Sequence, residues 1–343
     1  MRETALNKPG RNSLVTGLIV SHRFNAKFGS DFVAAAKRDG IDVELLALPP
    51  APEARIDEAT AARADVAYFS SDMVPLFAKQ FFSATRKAPG LKWMQVFNAG
   101  VDHPVFASVL ERGVRLTTSS GTAAEPIAQT AIAGMLYLAR NFPRWMAGQR
   151  NRQWDPMPPA DFPRDLNGQT MLIYGLGKIG IEIARLAHLL GLSVIGVRRS
   201  AVPVAHIDEM HTPDKLGELL PKSDWLVIAC PLTHATRGMV NAALLAQLPR
   251  GARFINISRG EVVDEPALIA ALQSGQLGGA YLDVFAQEPL PADSPLWDLP
   301  NVVVTPHNST ASAGSEARIT ALFLDNLKRW HASRPLVNEV TRL

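Results

Sequence analysis

The sequence predicts an α/β protein with two domains, each built around a doubly wound parallel sheet. Two series of short apolar runs alternate with segments of helical periodicity, one series in each half of the chain. A glycine-rich turn lies between a strand and a helix at the start of the second series. The length of 343 residues is too great for one ordinary core and suits two domains.

The first series extends from residue 14 to about residue 118. It has apolar, β-branched runs bounded by turn residues, which is the pattern of buried strands in a parallel sheet. We predict strands at residues 14–20, 43–48, 64–69, 91–98 and 114–117, and a helix around residues 31–39.

A long helix then leads to the second series. Residues 124–142 have apolar side chains at helical spacing, and residues 143–165 are rich in Trp, Arg and Pro, which predicts an irregular connection. We predict five or six buried strands, at residues 170–174, 193–197, 225–229, 252–257, 279–284 and 302–305, and a closing helix at 313–332. The predicted domains are a discontinuous one, residues 1–120 and 309–343, and a continuous one, residues 121–308.

The composition excludes several classes of protein. Hydrophobic residues make up 47% and charged residues 20%, so the chain can bury a core and is not disordered. The net charge of +3 is spread along the chain, so we predict no face for nucleic acid. The longest apolar segment is too short to span a membrane, and the single cysteine, Cys230, allows no internal disulfide. We therefore expect a cytoplasmic protein with no nucleic-acid, membrane or metal partner.

The glycine-rich turn spans residues 175–180, directly after the predicted strand 170–174 and directly before an amphipathic segment at 181–190. In this context Gly175 permits a tight turn, Gly177 lets a pyrophosphate approach the backbone, and Gly180 lets the helix pack on the strand. The N–H groups around Lys178 and Ile179 then face the anion. The same pattern in an arbitrary loop is more often structural, but here the strand–turn–helix context favours a Rossmann-type dinucleotide site.

The end of the next strand indicates which dinucleotide the site binds. About twenty residues after the glycine turn, where an acidic residue would bind the ribose of NAD, the chain has Arg198, Arg199 and Ser200. Two guanidinium groups and a hydroxyl can bind a 2′-phosphate, so the predicted cofactor is NADP(H). The alternative interpretation is an exposed basic turn.

Three further polar side chains each follow a predicted strand of the second series: Arg259, Glu288 and His307. Because the C-terminal ends of parallel strands converge on the ligand crevice, we expect these side chains to meet beside the nicotinamide. Histidine can transfer a proton at working pH, a carboxylate can fix its tautomer, and arginine can bind a carboxylate and stabilise a developing oxyanion. Each residue alone is more often structural; together they predict reduction of a carbonyl group by hydride transfer.

The chain resembles the D-isomer-specific 2-hydroxyacid dehydrogenase family over nearly its whole length. The resemblance rests on ordered matches at 98–102 (Asn-Ala-Gly-Val-Asp), 165–170, 231–233 (Pro-Leu-Thr), 258–260 (Ser-Arg-Gly) with Asp264, 283–289 and 305–307 (Thr-Pro-His). It implies that the discontinuous domain binds substrate and that the continuous domain is a Rossmann domain that binds NADP.

For the substrate, the resemblance implies that Arg259 binds the carboxylate and carbonyl oxygens, that His307 is the acid/base and that Glu288 hydrogen-bonds His307. It also implies that backbone N–H groups of Ala99 and Gly100, beside Asn98, hold the substrate carboxylate.

For the cofactor, the resemblance implies that Asp283 faces the nicotinamide amide, with an Asp that caps a loop as the alternative. Three further positions are expected to line the cofactor: Pro231, Thr236 and Ile257. Trp154 is expected either near the active-site mouth or in ordinary packing.

The function predicted from these residues and from the resemblance is NADPH-dependent reduction of a small 2-oxo acid, such as glyoxylate or hydroxypyruvate, to the D-2-hydroxy acid. The resemblance also implies a homodimer formed through the helix after residue 121 and the loop beyond it. Two alternatives remain open. One is another dehydrogenase of the family, of the phosphoglycerate or formate type, and the other is a dinucleotide-sensing binding protein or corepressor on the same fold.

Overall fold

The computed structural model describes residues 15–101, 103–200 and 202–340. The chain divides into two compact units: Met1–Thr122 with Ala313–Leu343, and Ala123–Ser312. We call these the first and the second unit; the boundaries predicted from the sequence are 120/121 and 308/309. Leu14 of the predicted first strand and Asp102 of the 98–102 motif lie outside the described residues.

Twelve strands form in the described part of the chain. They are β1 (Val15–Val20), β2 (Asp42–Ala47), β3 (Ala64–Phe69), β4 (Trp93–Val96), β5 (Arg115–Thr117), β6 (Thr170–Tyr174), β7 (Ser193–Val197), β8 (Glu209–His211), β9 (Trp225–Ile228), β10 (Ala252–Asn256), β11 (Leu277–Leu282) and β12 (Val302–Val304).

The α-helices of the same residues lie mostly between these strands. They are α1 (His22–Arg38), α2 (Glu58–Ala61), α3 (Ala78–Arg86), α4 (Pro104–Glu111), α5 (Ala124–Ala139), α6 (Phe142–Arg150), α7 (Lys178–Leu189), α8 (Leu216–Leu219), α9 (Ala242–Leu245), α10 (Glu265–Gln273) and α11 (Ser315–His331).

The first unit contains a five-stranded parallel sheet in the order β2-β1-β3-β4-β5. Its central strand β3 is buried along its whole length, which explains why its residues other than Asp65 are apolar. Helix α11 returns from the end of the chain to this unit, where Phe323 is fully buried and stacks on Tyr68. The residues after β4, which include Asn98, therefore emerge from the C-terminal edge of this sheet.

The second unit contains a seven-stranded parallel sheet in the order β12-β11-β10-β9-β6-β7-β8. The strand order reverses beside β6, so the glycine turn that follows Tyr174 lies at the switch point of the sheet. Strands β10, β11 and β12 are in register at their ends, where Asn256 pairs with Leu282 and Leu282 with Val304. The three segments that carry Arg259, Glu288 and His307 therefore leave neighbouring strands at the same level.

The prediction of α/β fold class with two doubly wound parallel sheets is confirmed. Three details of it are wrong. The second sheet has seven strands, because the polar segment β8 adds an edge strand to β7. The stretch 143–165 is not wholly irregular, because α6 occupies its first part. The first helix begins at His22, since Ser21 caps it by accepting a hydrogen bond from Phe24 N.

The helices formed by residues 15–101, 103–200 and 202–340 include none with the length and apolar composition needed to span a membrane.

Candidate active site

The glycine turn is shaped by close approaches that only glycine allows. Gly175 has φ of 106°, and a Cβ atom there would lie 2.4 Å from the backbone N of Cys230. A Cβ at Gly180 would lie 2.1 Å from the carbonyl oxygen of Gly175. A Cβ at Gly177, by contrast, would meet no described atom within 4 Å. Packing within the protein thus accounts for the first and third glycines, and the second leaves its surface open for a ligand.

Helix α7 begins directly at this turn. Its N-cap is Gly177, which has no side chain to cap the helix, and the backbone bond of Ile181 N to Gly177 O marks the first turn. The N–H groups of Lys178, Ile179 and Gly180 precede that bond and point along the helix axis with the positive end of the helix dipole. This is the arrangement that binds a pyrophosphate, so the residues fit a dinucleotide.

The basic segment after β7 lies where the sequence predicted it. Arg198 is half-buried, and its Nε and Nη2 donate to the carbonyl oxygens of Ser200 at 2.7 Å and Val202 at 2.9 Å. Arg199 and Ser200 are exposed. Arg198 therefore shapes the turn, and Arg199 presents its charge to solvent at the strand end.

Pro231 and Thr236 lie after β9, the neighbour of β6 in the sheet, and Ile257 lies after β10, the next strand beyond β9. The Thr236 hydroxyl donates to Pro231 O at 2.8 Å and accepts from Thr233 N at 2.8 Å, so it closes the loop 231–236. Ile257 is buried. The predicted cofactor-lining positions thus sit beside the glycine turn in the sheet, with the Thr236 side chain bonded to its own loop.

The structure brings Glu288 and His307 together. Oε2 of Glu288 lies 2.7 Å from Nδ1 of His307, and both side chains are about 40% exposed, at 36% and 42%. The other carboxylate oxygen of Glu288 accepts a hydrogen bond from Phe285 N at 3.0 Å. Each oxygen of Glu288 therefore has a partner, and the carboxylate holds the imidazole in one orientation.

Arg259 lies at the end of the neighbouring strand. Its Nη1 donates to Ser258 O at 2.7 Å, and its own carbonyl oxygen accepts from the Asn256 side chain at 3.2 Å. None of the hydrogen bonds described for Arg259 joins it directly to Glu288 or His307. The register of β10, β11 and β12 is what places the three residues on one edge of the sheet.

Asp283 organises the loop that carries His307. It is 2% exposed, and its Oδ1 accepts hydrogen bonds from Thr305 Oγ1 at 2.6 Å and Asn308 N at 3.1 Å. Its Oδ2 accepts from the Ser309 hydroxyl, and its carbonyl oxygen accepts from His307 N at 2.9 Å. These bonds support the alternative interpretation, an Asp that caps a loop; contact with the nicotinamide stays a prediction.

In the first unit, Asn98, Ala99 and Gly100 form a turn after β4. The Asn98 side-chain amide nitrogen donates to Gly100 O, and the backbone carbonyl oxygen of Asn98 accepts from Ser119 N at 3.0 Å. Within the described residues, no backbone bond engages the N–H groups of Ala99 or Gly100. Those donors suit a carboxylate, as the resemblance implies.

Trp154 is 97% exposed in its own unit, so the ordinary-packing alternative is wrong there.

Sequence reasoning gave no role to Gly260 or Glu265. A Cβ atom at Gly260 would lie 1.8 Å from the carbonyl carbon of Phe285, so the segment after Arg259 crosses the loop that leads to Glu288. Oε2 of Glu265 accepts a hydrogen bond from Ala286 N at 3.0 Å. Both contacts join residues more than twenty positions apart, and the spacing of the sequence carries no signal for them.

Comparison with known proteins identifies the family. The family described as "D-isomer specific 2-hydroxyacid dehydrogenase, NAD binding domain" matches residues 132–309, which lie inside the second unit and make up more than half of the described chain. The chain belongs to the D-isomer specific 2-hydroxyacid dehydrogenase family. The family assignment made from the sequence is thus confirmed, and this dehydrogenase is an oxidoreductase with an NAD(P)-binding domain.

Named relatives and solved structures agree with this assignment. Glyoxylate/hydroxypyruvate reductase B of Citrobacter koseri is 35% identical over 70% of this dehydrogenase and 75% of its own length. A family member from Aeromonas salmonicida superposes with a TM-score of 0.77 at 31% identity, covering 95% of this chain and 99% of that one.

Some of the similar solved structures contain a bound dinucleotide. A family member from Xanthobacter autotrophicus Py2, in complex with NADPH and MES, has a TM-score of 0.73 at 32% identity and covers 95% and 97% of the two chains. The NADPH-dependent glyoxylate/hydroxypyruvate reductase of Sinorhizobium meliloti, in complex with NADP and sulfate, has a TM-score of 0.72 at 29% identity and covers 95% and 98%.

Proposed function

We propose that this dehydrogenase reduces a small 2-oxo acid of the glyoxylate or hydroxypyruvate type to the D-2-hydroxy acid with NADPH. The observation that carries the proposal is the 2.7 Å pair of Glu288 and His307, held at the strand edge that also carries Arg259. This pair provides an imidazole with one nitrogen fixed by a carboxylate, which is the arrangement of a general acid.

His307 supplies the proton in this proposal. Because Nδ1 pairs with Glu288, Nε2 is the ring nitrogen left to exchange a proton with substrate. When bound, the reduced nicotinamide supplies the hydride that adds to the carbonyl carbon. The Nε2 proton then goes to the carbonyl oxygen, which gives the hydroxyl group of the product and leaves a neutral imidazole paired with the Glu288 carboxylate.

Arg259 binds and polarises the acid. A guanidinium can hold a carboxylate through two parallel N–H bonds and can also stabilise negative charge on the carbonyl oxygen. The N–H groups of Ala99 and Gly100, beside Asn98, are a second set of donors for a carboxylate. A small anionic 2-oxo acid uses both functions, which is why we favour this substrate class.

NADP(H) is the proposed cofactor because cations follow β7 where a ribose-binding carboxylate would stand. Arg198 and Arg199 can bind a 2′-phosphate, and residues 198–200 offer no acidic group to repel it. The remaining proposed contacts are those of the glycine turn with the pyrophosphate, of Pro231, Thr236 and Ile257 with the cofactor, and of Asp283 with the nicotinamide amide.

The reaction is tested by following NADPH oxidation with a panel of 2-oxo acids that includes glyoxylate, hydroxypyruvate and pyruvate. We expect turnover with at least one small acid, and a fall in kcat of about 100-fold or more in His307→Ala and in Arg259→Ala. His188→Ala is the matched control, because His188 is an exposed histidine on α7. Unchanged kcat in both active-site variants would reject the assignment, and tight NADPH binding without turnover on any acid would favour a dinucleotide sensor.

Cofactor preference is tested separately. We expect Arg199→Ala to raise the KM for NADPH by about 10-fold, as for loss of a charged hydrogen bond, and to leave the KM for NADH unchanged. Arg250→Ala is the control, since Arg250 precedes β10 at the opposite edge of the sheet and donates to Ser274 O. Preference of the wild-type protein for NADH would exclude the proposal.

We also propose that the dehydrogenase is a homodimer. Two aromatic side chains on α6 are exposed: Phe142 and Trp145 are 40% and 41% accessible, and Phe142 stacks on the half-buried Tyr137 of α5. Trp154 follows on the same connection and is 97% exposed. Apolar surface of this kind is typical of an interface. Light scattering should give twice the mass of one chain, and a monomer at micromolar concentration would refute the proposal.

A further inference from the structure

The peptide unit between Phe285 and Ala286 lies between the segment that carries Arg259 and the loop that leads to Glu288. On one side Gly260, the residue after Arg259, passes so close that a Cβ atom would lie 1.8 Å from Phe285 C and 2.3 Å from Ala286 N. On the other side the chain continues to Glu288, which pairs with His307. The position of this peptide therefore affects both the arginine segment and the carboxylate–imidazole pair.

Two carboxylates hold this part of the loop through consecutive N–H groups. Glu288 accepts from Phe285 N at 3.0 Å, which closes the loop on itself. Glu265 accepts from Ala286 N at 3.0 Å, and this bond connects the loop to the first residue of α10. Glu265 is thus a connection between the loop and a regular element of the second unit, and its side chain touches neither Glu288 nor His307 in the described hydrogen bonds.

We infer that Glu265 is a positioning residue, which fixes the Phe285–Ala286 peptide and thereby the distance of Glu288 and His307 from Arg259. The inference rests on the proposed function, because it needs those three residues to act on the substrate. A general acid must hold its proton within hydrogen-bond distance of the carbonyl oxygen, and a displacement of about 1 Å can lower a rate by about 100-fold. A loop attached only at its two strand ends would tolerate such a displacement.

Glu265 also has an ordinary structural role that the experiment must separate. It lies in the first turn of α10, where a negative charge interacts favourably with the helix dipole. The helix already has an N-cap, Asp264, whose side chain accepts from Ala267 N at 3.2 Å. A role in the helix depends on the charge of residue 265, whereas the positioning role depends on the length of its side chain and on an oxygen that can reach Ala286 N.

Two substitutions distinguish the effect of the charge of residue 265 from the effect of its side-chain length. Glu265→Gln keeps the length and an accepting oxygen but removes the charge, and Glu265→Asp keeps the charge but is one methylene too short. We expect kcat for NADPH-dependent reduction to stay within about twofold of wild type in Glu265→Gln and to fall about 10-fold or more in Glu265→Asp and Glu265→Ala. The KM for the 2-oxo acid should change by less than about threefold in all of them, because none of these substitutions removes the Arg259 guanidinium.

The controls distinguish failure of this inference from failure of the proposed function. Asp264→Ala should lower Tm and leave kcat within about twofold, since Asp264 caps the helix without a described bond to the loop. If His307→Ala abolishes turnover while Glu265→Asp and Glu265→Ala retain wild-type kcat, the positioning role is wrong and the proposed function stands. A low kcat in Glu265→Gln with normal kcat in Glu265→Asp would assign the effect to helix charge and overturn the inference. Full activity of His307→Ala would overturn both.

Discussion

Replacement of Gly260 by alanine should disable the dehydrogenase through the backbone. A Cβ atom at residue 260 would lie 1.8 Å from Phe285 C and 2.0 Å from Phe285 O, whereas ordinary van der Waals contact begins near 3.4 Å. The shortfall is about 1.6 Å, and both sides of the contact are backbone or bonded directly to backbone, so no flexible side chain can absorb it. Either the Arg259 segment or the loop of Glu288 must move by more than 1 Å. From that displacement we expect kcat to fall by about 100-fold or more.

The assay is NADPH oxidation under saturating cofactor, with thermal unfolding measured on the same sample. Overpacking a buried contact costs about 1 to 3 kcal/mol, so Tm should fall as well. Gly217→Ala is the matched control, because the nearest atom to its Cβ would be the flexible Gln247 side chain at 3.4 Å; kcat and Tm should stay near wild type. A Gly260→Ala variant with wild-type kcat would show that the two segments do not need their observed distance, and the reasoning would fail.

Three further predictions concern other parts of the chain. Gly177→Ala should raise the KM for NADPH about 10-fold or more and leave Tm unchanged, since its Cβ would meet no described atom within 4 Å. A lower Tm in this variant would indicate a structural role for Gly177. Burial raises the pKa of the Cys230 thiol to about 11, so a disulfide reagent at pH 8 should label the native protein far more slowly than the unfolded one. The hydrogen bond from Arg115 lowers the pKa of Glu339, so Glu339→Gln should lower stability by about 0.5 to 1 kcal/mol at pH 7 in urea unfolding. The difference should shrink as the pH falls below the ordinary glutamate pKa and vanish below the lowered pKa that Glu339 has in the folded protein.

The fold followed from the sequence where burial imposes a pattern. Strands β3, β6 and β7 have the predicted bounds, because each lies inside a parallel sheet and is therefore mostly apolar on both faces. Strand β8 has no such pattern: Glu209 and His211 are polar, and the segment is a strand only because it pairs with the edge of β7. Helix α6 was missed because its Trp, Arg and Pro content resembles a loop, although Pro143 at the first turn is a helix-start signal.

The part of the candidate site that could be predicted is the part whose residues are placed by the ends of neighbouring strands. Topology brings Arg259, Glu288 and His307 to one edge, and the closeness of the last two follows from the neighbouring position of β11 and β12. Contacts between loops could not be predicted, because their geometry depends on backbone paths rather than on periodicity. The approach of Gly260 to Phe285 and the bond from Ala286 N to Glu265 belong to this class.

The backbone at His307 is itself an argument for its chemical role. Its φ of 49° lies in the left-handed region, where a residue other than glycine or asparagine is strained by about 1 to 2 kcal/mol. Asp283 holds this conformation by accepting from His307 N and Asn308 N with its carbonyl and carboxylate oxygens, at 2.9 Å and 3.1 Å. Glycine would adopt the same turn with less strain, so the loop does not need an imidazole for its own stability. Instead, Nδ1 of the His307 side chain pairs with Glu288, and the proposed proton transfer requires this pairing.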